Sequence, residues 1–398
     1  MQGNLVTNTI RSMWCKQKLS DIEKMKIYMI TRIALTTSFV LKMLLAGAQT
    51  KWYDPMAAGF PVIQNQGWVN EIGKSYIRLP ERAEKNVRKA VWDLSKNSAG
   101  LAIFFKTNAP KITVRYGTTS NSFAMNHMPA TGKSGVDLYA VDKEGKWHFA
   151  SGRFSFGDTC VYTFDNLKQN NSDTEGFEFR LFLPLYNGVK WMEIGVPDTN
   201  ALIFQPLMKE APIVVYGTSI AQGGCASRPA MGWTNIVSRK LNAPVINLAF
   251  SGNGPLEKEL VDYINELDAA EYVYDCLPNM GSLSVDEVFN RTIYGVTTLR
   301  RKHSAPIILT EHLGYMNDET NAETRQSWER LNMAFKRAFD TLQKQGVKHV
   351  YYLSRKELNF PADGTVDAVH PNDLGMQAYA DAYLKLIRQV LKRTEFGN

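Results

Sequence analysis

The stretch IVVYGTSIAQGG covers Ile213–Gly224. An apolar run leads into Gly217, and Thr218 and Ser219 then precede a turn of small residues. Apolar runs of this kind are typical of strands that are buried on both faces of a sheet. A serine directly after such a strand lies at the sheet edge, where its hydroxyl can face a substrate. The other common role for a serine in this place is to cap a helix.

The same pattern recurs along the chain after about residue 208. Apolar runs alternate with segments of helical periodicity, which predicts a parallel sheet covered by helices on both faces. The predicted strands are Pro212–Gly217, Pro244–Phe250, Glu271–Leu277, Pro306–His312 and His349–Leu353. The predicted helices lie near Gly232–Leu241, Leu256–Leu267, Val285–Arg301, Ala322–Gln345 and Asp373–Arg393. We therefore predict a flavodoxin-like α/β domain with a five-stranded parallel sheet over residues 209–398.

Residues 49–208 follow a different pattern. Short segments rich in β-branched and aromatic residues are separated by polar turn clusters at fairly even spacing, which is typical of all-β domains. The predicted strands are Leu101–Thr107, Lys111–Thr118, Val136–Asp142, Lys146–Ser155, Thr159–Asp165, Gly176–Leu185 and Val189–Pro197. We predict an all-β domain here, a sandwich or jelly roll, that precedes the α/β domain.

Residues 1–48 have the layout of a secretory signal peptide. A short basic segment begins at Met25, an alternative start of the chain, and the apolar run Ile33–Ala46 follows it. Ala46–Ala48 then supplies the small residues of a cleavage site. A membrane anchor is the alternative, but the apolar run is short and Lys42 interrupts it. We expect export to the periplasm or the outside of the cell, with no stable membrane anchor.

The charge of the chain does not indicate a nucleic-acid partner. The net charge of the 398 residues is +7, and the first 48 residues hold +5 of it with seven basic and two acidic side chains. A nucleic-acid-binding protein needs a clustered basic face, and no such run follows residue 48. We expect no nucleic-acid partner.

The cysteines predict neither a disulfide framework nor a zinc site. Cys15 lies in the predicted leader, and Cys160, Cys225 and Cys276 are widely spaced. A single disulfide bond among these three remains open. Cys225 follows the small-residue turn and is expected to be a packed side chain rather than a reactive thiol.

Polar residues follow several of the predicted strands. Ser219 follows the first, Gly252 the second and Asn279 the third, while Asp367 and His370 come after the last. In open parallel sheets the ligand binds beyond the carboxyl ends of the strands. We therefore expect these residues to meet at one edge of the sheet.

These residue types form the set that acyl transfer requires. Ser219 can act as nucleophile if a base takes its proton, and His370 can be that base. Asp367 can accept a hydrogen bond from the other ring nitrogen and orient the imidazole. The backbone N–H groups of Ser219 and Gly252 and the side-chain amide of Asn279 can then stabilise the oxyanion. This chemistry needs no metal and no cofactor, and we expect none.

The order of these blocks resembles that of the SGNH hydrolases, also called the GDSL esterase/lipase family. Ser219 in GTSI, Gly252 in SGNG, Asn279 in LPNM, and Asp367 with His370 in DAVH match the four blocks of that family. The resemblance covers about residues 210–392 and implies the SGNH fold and the catalytic roles given above. The first block differs from the family name at two positions, and the third lacks its usual neighbours. The sequence is similar to a divergent subgroup with an N-terminal β-domain, as in some bacterial carbohydrate esterases.

Three further residues are candidates for substrate binding. Glu311 and His312 follow the fourth predicted strand and either contact the substrate or hold their loop. Two adjacent side chains are too few for a metal site. Arg228 is expected to be a solvated surface charge, and steering of an anionic or hydroxyl-rich substrate is the alternative.

The sequence predicts an exported serine esterase that releases short acyl groups, acetyl above all, from carbohydrate. Its substrate would be a small-molecule or polysaccharide ester. A lipid esterase, lysophospholipase or thioesterase on the same scaffold is one alternative. A glycan-binding protein with a silent site is the other.

Overall fold

The structure of the protein is a computed structural model that describes residues 23–26, 28–32, 49–169 and 176–395, with side chains to residue 390. Apart from two short helical stretches, the predicted signal peptide lies outside the described residues. Among those residues no helix has both the length and the apolar character needed to cross a membrane. Lys51–Val196 and Asn200–Asn398 belong to one compact unit.

The strands are β1 Thr50–Tyr53, β2 Ile63–Gln64, β3 Ala102–Thr107, β4 Ile112–Thr118, β5 Asp137–Val141, β6 Trp147–Ala150, β7 Arg153–Ser155, β8 Cys160–Phe164, β9 Phe177–Phe182, β10 Val189–Pro197, β11 Leu202–Phe204, β12 Ile213–Gly217, β13 Val245–Ala249, β14 Glu271–Asp275, β15 Ile307–Thr310 and β16 Val350–Leu353. The helices are α1 Val69–Ile72, α2 Lys89–Ser95, α3 Ala130–Lys133, α4 Ser219–Gln222, α5 Trp233–Leu241, α6 Lys258–Ile264, α7 Val285–Arg300, α8 Ala322–Lys344, α9 Arg355–Leu358 and α10 Asp373–Glu395.

The second half of the chain forms the predicted parallel sheet. Its strand order is β13-β12-β14-β15-β16, and all four neighbouring pairs run parallel. Both faces of the sheet are buried, because alternate side chains of β12 enter apolar clusters on opposite sides. β12 lies between β13 and β14, so the loops after these three strands are neighbours at the carboxyl edge. The flavodoxin-like fold predicted from the sequence is confirmed.

The first half contains a β-sandwich. One sheet has the order β1-β10-β4-β8-β7, and the other has the order β11-β3-β9-β5-β6 with β2 beside β3. Inward side chains of both sheets share one apolar core, which includes Phe105 and Leu181 from one sheet and Val114 and Ile194 from the other. The alternate residues of the second sheet, such as Phe104, form a separate cluster with Ala230 of the α/β half.

Two features of the first half differ from the prediction. The predicted strand Lys146–Ser155 is two strands, because β6 pairs with β5 in one sheet and β7 pairs with β8 in the other. The chain changes sheets at Gly152, where a Cβ atom would lie 2.8 Å from the Phe164 ring. The stretch before β3, read as strands and turns, also contains α1 and α2.

The segment before β3 packs on the α/β half. The guanidinium of Arg78 is buried and donates to the backbone oxygens of Asn247 and Ala249 in β13, at 3.1 and 2.7 Å. Burial lowers the pKa of Arg78 to about 9, against a smaller opposing effect of Tyr186. The division into a β-domain at 49–208 and a catalytic domain at 209–398 remains a prediction, because residues before 100 also contribute to the core of the α/β half.

Candidate active site

Ser219 is the first residue of α4, and only Thr218 separates it from the end of β12. The side chain of Thr218 caps this helix by accepting from the backbone N–H of Ile220 at 3.4 Å. Helix capping, the alternative role considered for Ser219, is therefore performed by Thr218. The hydroxyl of Tyr186 donates to the Ser219 carbonyl oxygen at 3.0 Å and fixes the bend. Ser219 itself is only 7% exposed.

A chain of hydrogen bonds connects the three residues predicted to form a triad. Ser219 Oγ lies 2.9 Å from Nε2 of His370, and Nδ1 of the same ring lies 2.8 Å from Oδ2 of Asp367. The second carboxylate oxygen of Asp367 accepts the backbone N–H groups of Val369 and His370, at 3.1 and 2.7 Å. Both oxygens of the carboxylate thus hold the histidine loop. The structure places all three side chains in the relative positions that a proton relay requires.

The environment of Asp367 favours its ionised form. Burial alone would raise the pKa of this carboxyl group, but the hydrogen bonds from His370, the charge of its ring and the N–H of Val369 outweigh burial. The net effect lowers the pKa of Asp367 below its ordinary value. The carboxylate is therefore charged at neutral pH and can stabilise a cationic imidazole beside it.

The loop after β13 brings Gly252 beside the third block. Gly252 has a φ of +67°, a left-handed conformation that glycine adopts without cost. Gly254 N–H donates to Oδ1 of Asn279 at 3.0 Å, which leaves the amide nitrogen of Asn279 to donate elsewhere. A Cβ atom on Gly254 would lie 2.1 Å from the Gly217 oxygen. Glycine at this position therefore allows the loop to lie directly against the end of β12.

The helix α4, which begins at Ser219, also holds that loop. Gln222 in α4 is fully buried, and its side-chain oxygen accepts the backbone N–H of Ser251 at 2.9 Å. Its amide nitrogen donates to the side chain of Asn97 and to the Leu185 oxygen, each at 3.1 Å. Two hydrogen bonds thus connect these segments. The bond between Gln222 and Ser251 joins α4 to the loop of Gly252, and the bond between Gly254 and Asn279 joins that loop to the third block.

We predict that Asn279→Ala lowers kcat by about 10²- to 10³-fold, as expected for removal of one oxyanion donor. KM should change much less, because the donor acts on charge that develops in the transition state. Steady-state kinetics on a p-nitrophenyl ester measure both constants. The matched control is Asn86→Ala, which removes an amide bonded to Tyr263 away from the site. Equal kcat losses in both variants would contradict the oxyanion role.

Glu311 and His312 have structural partners. The carboxylate of Glu311 accepts the Tyr352 hydroxyl at 2.8 Å and the Arg355 N–H at 2.5 Å. His312 is buried, and its Nδ1 accepts the N–H of Gly314 at 2.8 Å. Burial, with a smaller effect of the Arg355 charge, lowers the pKa of His312 to about 3, so its ring is neutral. Substrate contact remains a prediction for both, and their bonds support the loop-holding alternative.

Glu311 also lines a cavity of about 700 Å³. The cavity combines apolar side chains with charged ones, and its lining includes Met316, Trp328, Arg355 and Phe360. The backbone N–H of Met316 donates to the oxygen of Ala368, next to Asp367, at 2.9 Å. The cavity therefore adjoins the loop that carries Asp367 and His370.

Arg228 pairs with the β-sandwich. Its guanidinium donates to Oδ2 of Asp137 at 2.9 Å and to the Tyr139 hydroxyl at 2.8 Å. Asp137 is buried, and burial raises the pKa of its carboxyl group, although Arg228 and the Ala230 N–H act in the opposite direction. The charge of Arg228, expected to be solvated, thus belongs to an ion pair whose two side chains are only 26% and 5% exposed. Steering of a substrate by Arg228 remains a prediction.

Replacing Arg228 with methionine should lower the free energy of unfolding by about 3 kcal/mol, because it leaves a buried carboxylate without its cation. Urea unfolding followed by circular dichroism measures this change. The control is Arg153→Met, which removes an 82% exposed partner of Asp165 and should cost at most about 1 kcal/mol. An Arg228→Met protein as stable as the control would show that the pair does not hold the halves together.

His127 belongs to the same site but was not predicted from the sequence. Its ring is exposed and lies 5.5 Å from the His370 ring, centroid to centroid. Cys225 is the third member of this group, since one donor atom each of His127, Cys225 and His370 lies within 4.8 Å of the others. His127 comes from the β-sandwich half, far from His370 in the chain, and no local motif indicates the contact.

Two family models and a solved structure match this architecture. The model described as a GDSL-like lipase/acylhydrolase family matches residues 210–388, and the model for the N-terminus of SGNH hydrolase-type esterases, named GxDLY, matches residues 50–202. The stretch GVDLY at Gly135–Tyr139 has the form of that name. A candidate GDSL-like lipase from Bacteroides ovatus shares 32% identity over 86% of this chain and 98% of its own, with a TM-score of 0.78.

Fold and relatives together define a carboxylic ester hydrolase. The chain belongs to the GDSL-like lipase/acylhydrolase family, with the N-terminal domain found in SGNH-type esterases. A salicylyl-acyltransferase, SsfX3, from a tetracycline biosynthetic pathway shares the fold at 16% identity, with a TM-score of 0.65 over 86% of this chain and 97% of that one. No curated protein matches the chain.

Proposed function

We propose that the protein hydrolyses short-chain acyl esters, acetyl esters above all, on carbohydrate. Ser219 is the nucleophile, His370 the general base and acid, and Asp367 the residue that orients the histidine. The observation that carries this proposal is the continuous hydrogen-bonded chain from Ser219 Oγ through both ring nitrogens of His370 to Asp367. Because the chain belongs to an acylhydrolase family, we interpret this hydrogen-bonded chain as a catalytic triad for acyl transfer.

The reaction follows from these positions. As Ser219 Oγ bonds to the ester carbonyl carbon, His370 Nε2 takes its proton, and charge develops on the carbonyl oxygen. The N–H groups of Ser219 and Gly252 and the amide of Asn279 are the donors for that oxygen. The carbon–oxygen bond to the alcohol then breaks, and His370 returns the proton to the alcohol. Water attacks the acyl-enzyme by the same route and releases the acid.

The surroundings of the triad support a short acyl group on a large polar alcohol. The side chains of His370 and Asp367 remain 23% and 38% exposed, so the site opens to solvent at the sheet edge. The neighbouring cavity of about 700 Å³ is lined by both polar and apolar side chains, among them Ser354 and Phe360. A solvent-facing opening of mixed polarity suits a hydroxyl-rich alcohol better than a long acyl chain. The signal-peptide pattern of residues 1–48 supports an exported enzyme that meets such substrates outside the cell.

A chain-length series of p-nitrophenyl esters tests the acyl specificity. We expect kcat/KM to be highest for the acetate ester and to fall with each longer chain. A maximum at eight carbons or more would replace this proposal with the lipid-esterase alternative. Acetate release from acetylated polysaccharides, compared between wild type and Ser219→Ala, tests the carbohydrate part. Glycan binding without hydrolysis of any ester by the wild type would support the silent glycan-binding alternative.

A further inference from the structure

His127, Cys225 and His370 place two imidazoles and a thiol around one point. One donor atom from each residue lies within 4.8 Å of the other two. Ligand atoms around a tetrahedral zinc ion, at bond lengths of about 2.0 to 2.3 Å, lie roughly 3.5 Å apart. Side-chain movements of about 1 Å therefore bring the three atoms into a zinc coordination sphere. Two histidines and a cysteine are a donor set that zinc prefers, and a fourth position remains for water.

The element that carries His127 is a firmly anchored turn. Met125 and Met128 exchange two backbone hydrogen bonds, at 2.9 and 3.1 Å, and so place His127 at the tip of a tight turn. Met128 is buried in the same apolar cluster as Ile220 of the nucleophile helix. The turn is thus fixed on the α/β half although its residues belong to the first half of the chain.

Cys225 is held close to this turn in an unfavourable backbone conformation. Its φ of +72° is uncommon for a residue with a side chain, and such conformations concentrate at functional sites. The loop is fixed from the sandwich side, because Thr131 Oγ1 donates to the Ser227 oxygen at 2.7 Å. A Cβ atom on Gly132 would lie 2.1 Å from the Ala226 oxygen, so the two backbones are in direct contact.

The loop of Cys225 is also tied to the loop of His370. The backbone N–H of Ser227 donates to Oδ1 of Asp373 at 2.8 Å, and its hydroxyl donates to the other carboxylate oxygen. Asp373 begins α10, shortly after His370. The three donor residues therefore come from three separate segments whose relative positions are fixed by hydrogen bonds outside the cluster.

From this arrangement we propose that His127, Cys225 and His370 form an inhibitory zinc site. Binding converts the Cys225 thiol to a zinc-bound thiolate and releases its proton to the solvent. Both ring nitrogens of His370 are engaged, one with Ser219 and the other with Asp367. A zinc ion on either nitrogen therefore removes the base of Ser219 or the partner of Asp367. Metal binding and ester hydrolysis exclude one another.

The direct test is equilibrium dialysis of the full chain against Zn²⁺ at neutral pH, with zinc measured in the protein compartment. We expect one ion per wild-type chain. Loss of an outer-shell partner alone usually lowers metal affinity 10- to 100-fold. Loss of a ligand in His127→Ala or Cys225→Ser should therefore weaken binding more than about 100-fold. The controls are His148→Ala, an exposed histidine paired with Asp142, and Cys160→Ser, a buried cysteine of the sandwich.

Bound Co²⁺ provides a second readout. We expect a thiolate-to-metal charge-transfer absorption in the wild type that Cys225→Ser lacks and Cys160→Ser retains. Equal zinc binding by wild type, His127→Ala and Cys225→Ser would overturn the proposal, as would the absence of binding to the wild type.

Inhibition of p-nitrophenyl acetate hydrolysis is measured separately, with each variant compared with its own zinc-free rate. We expect full inhibition of the wild type that EDTA reverses, no inhibition by Mg²⁺ or Ca²⁺, and resistance of more than about 100-fold in His127→Ala. This part rests on the proposed function. Site-dependent zinc binding without inhibition would contradict the role of His370 in catalysis and the inhibitory part of the proposal. Absence of zinc binding in a protein that Ser219→Ala inactivates would refute only the zinc site.

Discussion

Ser219→Ala should lower kcat for ester hydrolysis by about 10⁴- to 10⁶-fold, the loss typical when a triad nucleophile is removed. The substitution deletes one oxygen atom, whose present partner is Nε2 of His370 at 2.9 Å. The backbone N–H of residue 219 remains, so the proposed oxyanion donors persist. A small rate above that of water should therefore remain. Burst and steady-state kinetics with p-nitrophenyl acetate measure the loss.

The control for this variant is Ser238→Ala. Ser238 is exposed to the same extent as Ser219, at 7%, and its hydroxyl donates to the Ala243 oxygen within the same half of the chain. It tests whether removal of a buried serine hydroxyl is by itself enough to reduce activity. We expect the control to keep wild-type kcat and both variants to unfold at similar urea concentrations. A Ser219→Ala protein with more than about a hundredth of wild-type kcat would contradict the proposed nucleophile.

The second large effect is expected for Asp367→Asn, which should lower kcat by about 10⁴-fold. An asparagine can still accept the backbone N–H groups of Val369 and His370, so the loop keeps its shape. Its amide hydrogens, however, would then face Nδ1 of His370 and favour the tautomer that carries the proton on Nε2. That tautomer cannot accept a proton from Ser219. Stopped assays with the same ester measure the loss, and Asp381→Asn, on the exposed face of α10, is the control.

The lowered pKa of Asp367 predicts the sign of its effect on stability. Because the folded-state pKa lies below the unfolded value of about 4, the carboxylate stabilises the fold above that value. The contribution is lost as pH falls through the folded-state pKa. Urea unfolding midpoints should therefore fall less steeply with acidification below about pH 4 in Asp367→Asn than in the wild type. Parallel pH profiles would contradict the charged hydrogen bond.

The α/β half could be predicted because its strands are continuous apolar runs. Val214 and Val215 point to opposite faces of β12, and both faces are buried, so hydrophobicity alone marks the strand. The candidate site follows from the same rule, since parallel strands end at one edge and polar residues follow them. Chemistry, order along the chain and the resemblance to the SGNH hydrolases together predict Ser219, His370 and Asp367 from the sequence.

The rest of the site depends on contacts that a single sequence does not encode locally. His127 approaches His370 only because Met125 and Met128 anchor their turn in the core of the other half. The sequence around Arg228 predicts a surface charge, whereas the structure pairs this residue with Asp137 in a strand of the sandwich. Both contacts are made by side chains that lie far apart in the chain. Periodicity and turn chemistry describe neighbours along the chain and cannot predict such pairs.

Covalent labelling tests whether His370 activates a single serine hydroxyl. A fluorophosphonate probe phosphorylates an activated serine as fluoride leaves, and intact-mass and peptide mass spectrometry locate the adduct. We predict one adduct per chain, on the peptide that contains Ser219, and labelling at least about a hundredfold slower in His370→Ala. An adduct on another residue, or labelling of Ser219→Ala at the wild-type rate, would contradict the account.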